Sequence, residues 1–168
     1  MAKREKSIEL LNLAVADELT AVNQYMYFHF RLDDMGYSLL ASYFKRTAIA
    51  EMMHVERLAE RILYLKGEVE MLASHPVEKI HDVQKMLEKA LQMEDGAIDS
   101  YNIWARQAGE ANDAATKALF ENLIGEEEEH QGRFDIEVDN LSKFGENYLA
   151  LQSIEQSKKA IATGNNAV

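Results

Sequence analysis

The chain has 168 residues, 47% of them hydrophobic, with eight glycines, one proline, no cysteine and a net charge of −11 from 18 Lys/Arg against 29 Asp/Glu. That length supports one domain with a substantial core, and so few turn-forming residues point to helices. The missing cysteine excludes disulfides, iron–sulfur clusters and thiolate zinc, and the acidic balance excludes a nucleic-acid-coating role, which depends on Lys/Arg neutralising phosphates.

Met1-Ala2-Lys3-Arg4-Glu5-Lys6 leads into an amphipathic segment without the apolar core of a signal peptide, and no apolar run approaches the ~20 residues of a membrane span. A cytoplasmic location is expected, with no membrane and no nucleic acid as partner. From about Ser7 to Asp33, Ile8, Leu11, Val15, Leu19, Val22, Met26 and Phe30 recur three or four apart, which predicts a first helix. The stretch around Gly36 breaks the pattern. A second helix is expected from about Ser38 to Lys66, with Gly67 as its C-terminal stop.

Residues 67 to about 80 hold the one proline, Pro76, and show no helical face, so they read as a long crossover. A third helix follows from about Asp82 to Gln107, a turn from Gly109 to Asp113, and a fourth helix from about Ala114 to Phe144. Gly145 separates a short fifth helix, about Glu146 to Lys158. The expected fold is an all-α four-helix bundle with a long crossover between helices 2 and 3 and a short fifth helix, one domain over 1–158, with 159–168 a flexible tail that frays.

Two helices carry the same motif, Glu51-Met52-Met53-His54 and Glu127-Glu128-Glu129-His130. A carboxylate and an imidazole three apart lie on one helix face, where both can reach one cation. Each copy has an upstream partner at the same distance, since Glu18 precedes Glu51 by 33 residues and Glu94 precedes Glu127 by 33. The two halves are offset by 76 residues, and Tyr25 maps onto Tyr101 by the same offset. With hairpin turns near Gly36 and Ala111, each of the four carboxylates falls roughly 22–27 Å from its turn at ~1.5 Å per residue, so all converge at mid-height. Such a doubled site in a bundle with a long crossover is ferritin-like.

Oxygen ligands with two imidazoles suit iron or manganese, and four ionised glutamates balance two divalent ions. Glu51 and Glu127 are expected to bridge the metals, with Glu18 and His54 terminal on one and Glu94 and His130 on the other. Two adjacent ferrous ions can pass electrons together to O₂ or peroxide, so the reaction type is ferroxidation. Tyr25 follows Glu18 by seven residues, nearly on the same face; it either bonds a ligand, donates an electron, or packs in the core. The rest of the Glu126–Glu129 run reads as a solvated flank, His29, His75 and His81 as surface or packing residues, and Trp104 as core or interface.

Several segments resemble the bacterioferritins, the haem-containing ferritins of bacteria: Asp17-Glu18-Leu19-Thr20-Ala21-Val22-Asn23-Gln24-Tyr25, Glu51-Met52-Met53-His54 and Gly145-Glu146-Asn147-Tyr148-Leu149, within a similarity spanning about Ser7 to Lys158. The resemblance implies a hollow homo-oligomeric shell of twenty-four subunits, built from twofold dimers, that stores ferric mineral. It implies the six Glu and His residues as a ferroxidase centre with two iron ions per subunit, taking Fe(II) and O₂ or H₂O₂. It also implies haem b or a related iron porphyrin shared between two subunits, with Met52 of each as axial ligand, and a ferredoxin-type electron donor for iron release. Met52 stands ~100° from Glu51 on the helix wheel, so it can face a partner when Glu51 faces the metals. The family commonly has acidic residues where this chain has Thr47 and Ala50. A haem-free erythrin-like peroxidase and a manganese catalase are the alternative readings on the same bundle.

Overall fold

The computed structural model describes residues 2–164. Five helices follow in order: α1 (Ala2–Asp34), α2 (Ser38–Tyr64), α3 (Val83–Glu110), α4 (Ala114–Phe144) and α5 (Glu146–Gly164). α1 pairs with α2 and α3 with α4 as antiparallel hairpins, α1 also meets α3, α2 meets α4, and α5 packs on α2 and α4. No helix among the described residues is long and apolar enough to cross a membrane.

Three helices end in the same way, and in each the local chemistry explains the stop. Residues Gly36, Lys66 and Asn112 take left-handed φ values of 85°, 65° and 58°. The next N–H then reaches back five residues, Tyr37 to Leu32, Gly67 to Ile62 and Asp113 to Ala108, satisfying carbonyls that the helix leaves free. The expected stop at Gly67 is therefore shifted: Lys66 makes the left-handed turn. Gly67 is small for another reason, since a Cβ there would stand 2.8 Å from the Ile8 side chain. Helices α3 and α4 begin on aspartate caps, Asp82 accepting from Lys85 N at 2.9 Å and Asp113 from Thr116 N at 3.1 Å. The fifth helix runs to Gly164 rather than ending near Lys158, and residues 165–168 of the expected tail lie outside the described residues.

The crossover is irregular but tied along one face of α1. Asn12 donates to Glu68 O at 3.0 Å and accepts from Glu70 N at 2.9 Å, and Gln24 repeats the pattern with both backbone groups of Glu78 at 2.9 and 2.7 Å. Between them Ser74 N donates to Ala16 O and His75 N to Thr20 Oγ1, so positions 12, 16, 20 and 24, one helical face, hold the segment.

Two apolar clusters fill the bundle at different heights. One is aromatic, with Tyr25, Phe28, Phe44 and Phe134 fully buried; the other holds Leu10, Leu11, Val15, Leu58, Ile62, Phe120 and Leu123. The polar layer between them is the site.

Candidate metal centre

Each of the four long helices sends acidic side chains into the layer between the two clusters. Glu18, Glu51, Glu94 and Glu127 are at most 5% exposed, His54 is buried, and the side chain of His130 is 12% exposed. The layer is where the hairpin geometry expects it, because the turns at Gly36 and Ala111–Asn112 set the register of each helix pair.

The ligand atoms form two overlapping groups, Glu18, Glu51, His54 and Glu127, and Glu51, Glu94, Glu127 and His130, each within 4.8 Å. Glu51 and Glu127 belong to both. His54 Nδ1 lies 2.9 Å from Glu51, 3.0 Å from Glu127 and 3.3 Å from Glu18. His130 Nδ1 lies 3.0 Å from the other Glu51 oxygen, 3.5 Å from Glu127 and 3.9 Å from Glu94. Yet both Glu51 oxygens, Glu127 Oε1 and both Nδ1 atoms are buried without an aligned hydrogen bond. Unpaired buried polar atoms are costly. Ligands at right angles on a cation with bonds of ~2.1 Å stand about 3 Å apart, so the donor set and its spacing fit two cations.

Electrostatics agree with that reading. Burial first, and then the charge of Glu127, push Glu18 well above the usual carboxylate range; burial, Glu51 and Glu127 do the same to Glu94. Burial also opposes charge on the histidines, but the carboxylates around them overcome it, raising His130 to about 9 and His54 further. Glu127 moves the opposite way, burial being outweighed by the two imidazoles and Glu94, and is held far below its ordinary value. Protons thus occupy the place of positive charge, and a metal ion entering must displace them.

The two tyrosines are placed alike and crossed between halves. Tyr25 on α1 donates to Glu94 Oε1 on α3 at 2.5 Å, and Tyr101 on α3 donates to Glu18 Oε1 on α1. Burial and then the carboxylate each one meets raise both phenols well above 10, so they remain donors. Tyr101 thus matches Tyr25 in contact as well as in sequence offset.

One residue of the expected solvated flank belongs to the site. Glu126 accepts from His54 Nε2 at 3.0 Å and from Arg57 Nη1 at 2.6 Å, holding the ring from behind. The signal was available in the offset of 76: the equivalent of Glu126 is Ala50. His130 therefore has no carboxylate at the matching position, and the two imidazoles, stacked with centroids 5.9 Å apart, are unequally supported.

The remaining residues singled out in the sequence lie outside the layer. His29 Nδ1 is 2.8 Å from Ala41 O, and Trp104 packs edge-on against Tyr101. His75, bonded to Ser74 Oγ, lines the mouth of a cavity of about 280 Å³ between α1 and α3 that reaches Glu18, Glu51, Glu94 and Glu127. Met52 and Met53 are both half exposed, at 51% and 47%, on a face of α2 that also exposes Ile49, Leu63 and Tyr64.

The ferritin-like domain family matches residues 8–144. A bacterioferritin of Desulfovibrio desulfuricans is 38% identical over 88% of this chain and 83% of its own length, and one of Brucella melitensis 35% over 87% and 91%. The crystal structure of the Desulfovibrio desulfuricans bacterioferritin, described as having a diiron site in different catalytic states, superposes with a TM-score of 0.89 at 37% identity, covering 90% of this chain and 89% of that one. The Rhodobacter capsulatus bacterioferritin, described with a metal-free dinuclear site and haem iron, gives 0.85 at 29% identity, covering 88% and 93%. With the fold, the doubled Glu-x-x-His layer and this likeness along most of its length, the chain belongs to the bacterioferritins.

Proposed function

We propose that this protein takes up Fe(II) at the centre formed by Glu18, Glu51, His54, Glu94, Glu127 and His130, oxidises it, and stores the ferric product within a hollow shell of twenty-four copies. The observation that carries this reading is the pair of overlapping ligand groups sharing Glu51 and Glu127. Glu51 and Glu127 bridge, Glu18 with His54 and Glu94 with His130 complete the two positions, and the four carboxylates match the charge of two divalent ions. Held together, two ferrous ions supply two electrons at once to O₂ or peroxide.

The chain's own residues do the rest. Tyr101 and Tyr25 each donate to one oxygen of Glu18 and Glu94, fixing the carboxylate for binding through the other. Glu126 and Arg57 keep His54 turned with Nδ1 toward the centre. The α1/α3 cavity gives a path for ions through polar side chains such as Asp17, Gln92 and Ser100.

The outward-facing Met52 is suited to ligate a haem shared with a second copy. A methionine sulfur on an exposed apolar face is available to a partner, and that face needs covering in an assembly. A haem held by Met52 would supply electron transfer toward stored iron, for which a ferredoxin-type protein would be the donor.

Glu94→Ala combined with Glu127→Ala removes one terminal and one bridging ligand and is expected to abolish rapid aerobic Fe(II) oxidation in an assembled shell; unchanged kinetics would sink the assignment. Met52→Leu is expected to give an assembled protein without haem absorption bands. A retained bis-methionine spectrum would move the ligand, with Met53 next in line.

A further inference from the structure

A second cleft, of about 500 Å³, lies between α2, α4 and α5, on the side of the bundle away from the α1/α3 cavity. Its lining includes Arg46 of α2 and Arg133 of α4, together with Tyr43, Asn140 and one carboxylate, Glu137. In a chain of net charge −11, two guanidinium groups facing one cleft are out of keeping with the surface around them.

Among the described residues neither cation is strongly engaged. Arg133 has one ionic neighbour, Glu129, at 3.8 Å on an exposed helix surface, a contact worth little. Arg46, which is exposed, forms no hydrogen bond or ion pair among the described residues. Glu137 is turned toward α5, where it accepts the Tyr148 hydroxyl proton. Gln152 is likewise engaged, accepting from Leu40 N at 3.1 Å. The open volume is thus lined by the exposed Arg46 and Arg133, by Asn140, and by the buried Tyr43, whose hydroxyl donates to His130 O at a long 3.3 Å. Burial raises that phenol, opposed first by its hydrogen bond with Thr47 and then by the charge of Arg133.

We propose that this cleft is a binding site for a tetrahedral oxyanion of the inorganic phosphate class, held by Arg46 and Arg133. Like charges facing a shared volume repel, and an anion between them reverses the sign of that interaction. Guanidinium forks match the oxygen spacing of phosphate and bond it bidentately. A cation is the wrong occupant, with two positive groups against one engaged carboxylate. The site lies one residue's width from the metal centre, because Tyr43 touches the backbone of His130, the least buried of the six ligands. Resting on the ferroxidase reading, the consequence is that phosphate bound here supplies counter-charge on the His130 side of the centre.

The test uses the iron-free assembled protein and labelled inorganic phosphate in equilibrium dialysis, at ionic strength held constant with chloride. Saturable binding of one phosphate per chain is expected, displaced by sulfate. Arg46→Gln and Arg133→Gln are each expected to weaken it about tenfold or more, the loss of a charge-assisted bond; the lysine variants, which keep charge but lose the fork, should fall between. Unsaturable uptake by the wild type, or uptake by both glutamine variants equal to that of the wild type, would overturn the site. So would an absence of wild-type binding together with loss of assembly in those variants, which would assign the arginines to a subunit contact. Since no iron is present, these results stand apart from any failure of the oxidation reading.

Discussion

At the scale of single residues, the buried layer is symmetrical in its Glu and His side chains and unsymmetrical in their support. Glu126 and Arg57 hold the far nitrogen of His54, whereas the position related to Glu126 in the other half is Ala50. Supporting bonds of this kind fix a ligand's orientation, and losing one typically costs roughly 10- to 100-fold in metal affinity. Glu126→Ala should therefore weaken one of the two Mn(II) sites by that order in an anaerobic titration followed by electron paramagnetic resonance. Glu128→Ala, an exposed neighbour in the same acidic run, should leave both unchanged. Equal effects from the two substitutions would return Glu126 to the solvated flank.

At the scale of elements, the structure is fixed where helices meet. Asp113 caps α4 and also accepts from Thr116 Oγ1 at 2.7 Å and from Arg61 Nη2 at 2.6 Å, joining α2 to the α3–α4 turn. These bonds outweigh the effect of its partial burial and hold its pKa below the ordinary value. Asp113→Ala is expected to cost about 1–2 kcal/mol, the upper part of the capping range, and to lower the melting temperature by roughly 2–8 °C. A change under a degree in thermal denaturation would show that the cap is redundant.

Much of this level was legible in the sequence. The apolar period of the first helix and the turn residues between the others placed the four long helices, α4 to the residue, and equal spacing of Glu and His placed the six side chains in one layer. Other features were illegible for identifiable reasons. The left-handed stop at Lys66 goes against residue preference, and Gly67 is dictated by the approach of Ile8, a contact between segments distant in sequence. Asn12, Thr20 and Gln24 look like ordinary polar positions until the crossover lies against them. The crossed tyrosine bonds could not be read from spacing within one helix, because each joins α1 to α3.

At the scale of the whole molecule, protons and metals compete for the same interior charge. His130 is raised from 6.5 to about 9 and His54 beyond that, so the folded chain holds protons that the unfolded chain releases. The stability His130 contributes is complete below 6.5 and is lost as pH rises through about 9, while that of His54 persists to higher pH. The raised Glu18 and Glu94 act in the same direction above the ordinary carboxylate range, while the depressed Glu127 affects only acidic pH. Metal binding displaces those protons and replaces their charge. Saturating Mn(II) should therefore raise the melting temperature more at pH 8.5 than at pH 6, as calorimetry can show; a gain independent of pH would mean that the metal binds elsewhere.

The two cores on either side of the polar layer set the register of its side chains, and the proposed centre's capacity follows from that geometry. The rapid phase of aerobic Fe(II) oxidation, measured by stopped-flow absorbance against the number of Fe(II) added per chain, tests this most directly. The phase should grow until two Fe(II) per chain are supplied and then stop growing, and it should be absent from the Glu94→Ala/Glu127→Ala protein. Saturation at one iron per chain, or a rapid phase that survives the double substitution, would contradict a shared two-metal centre.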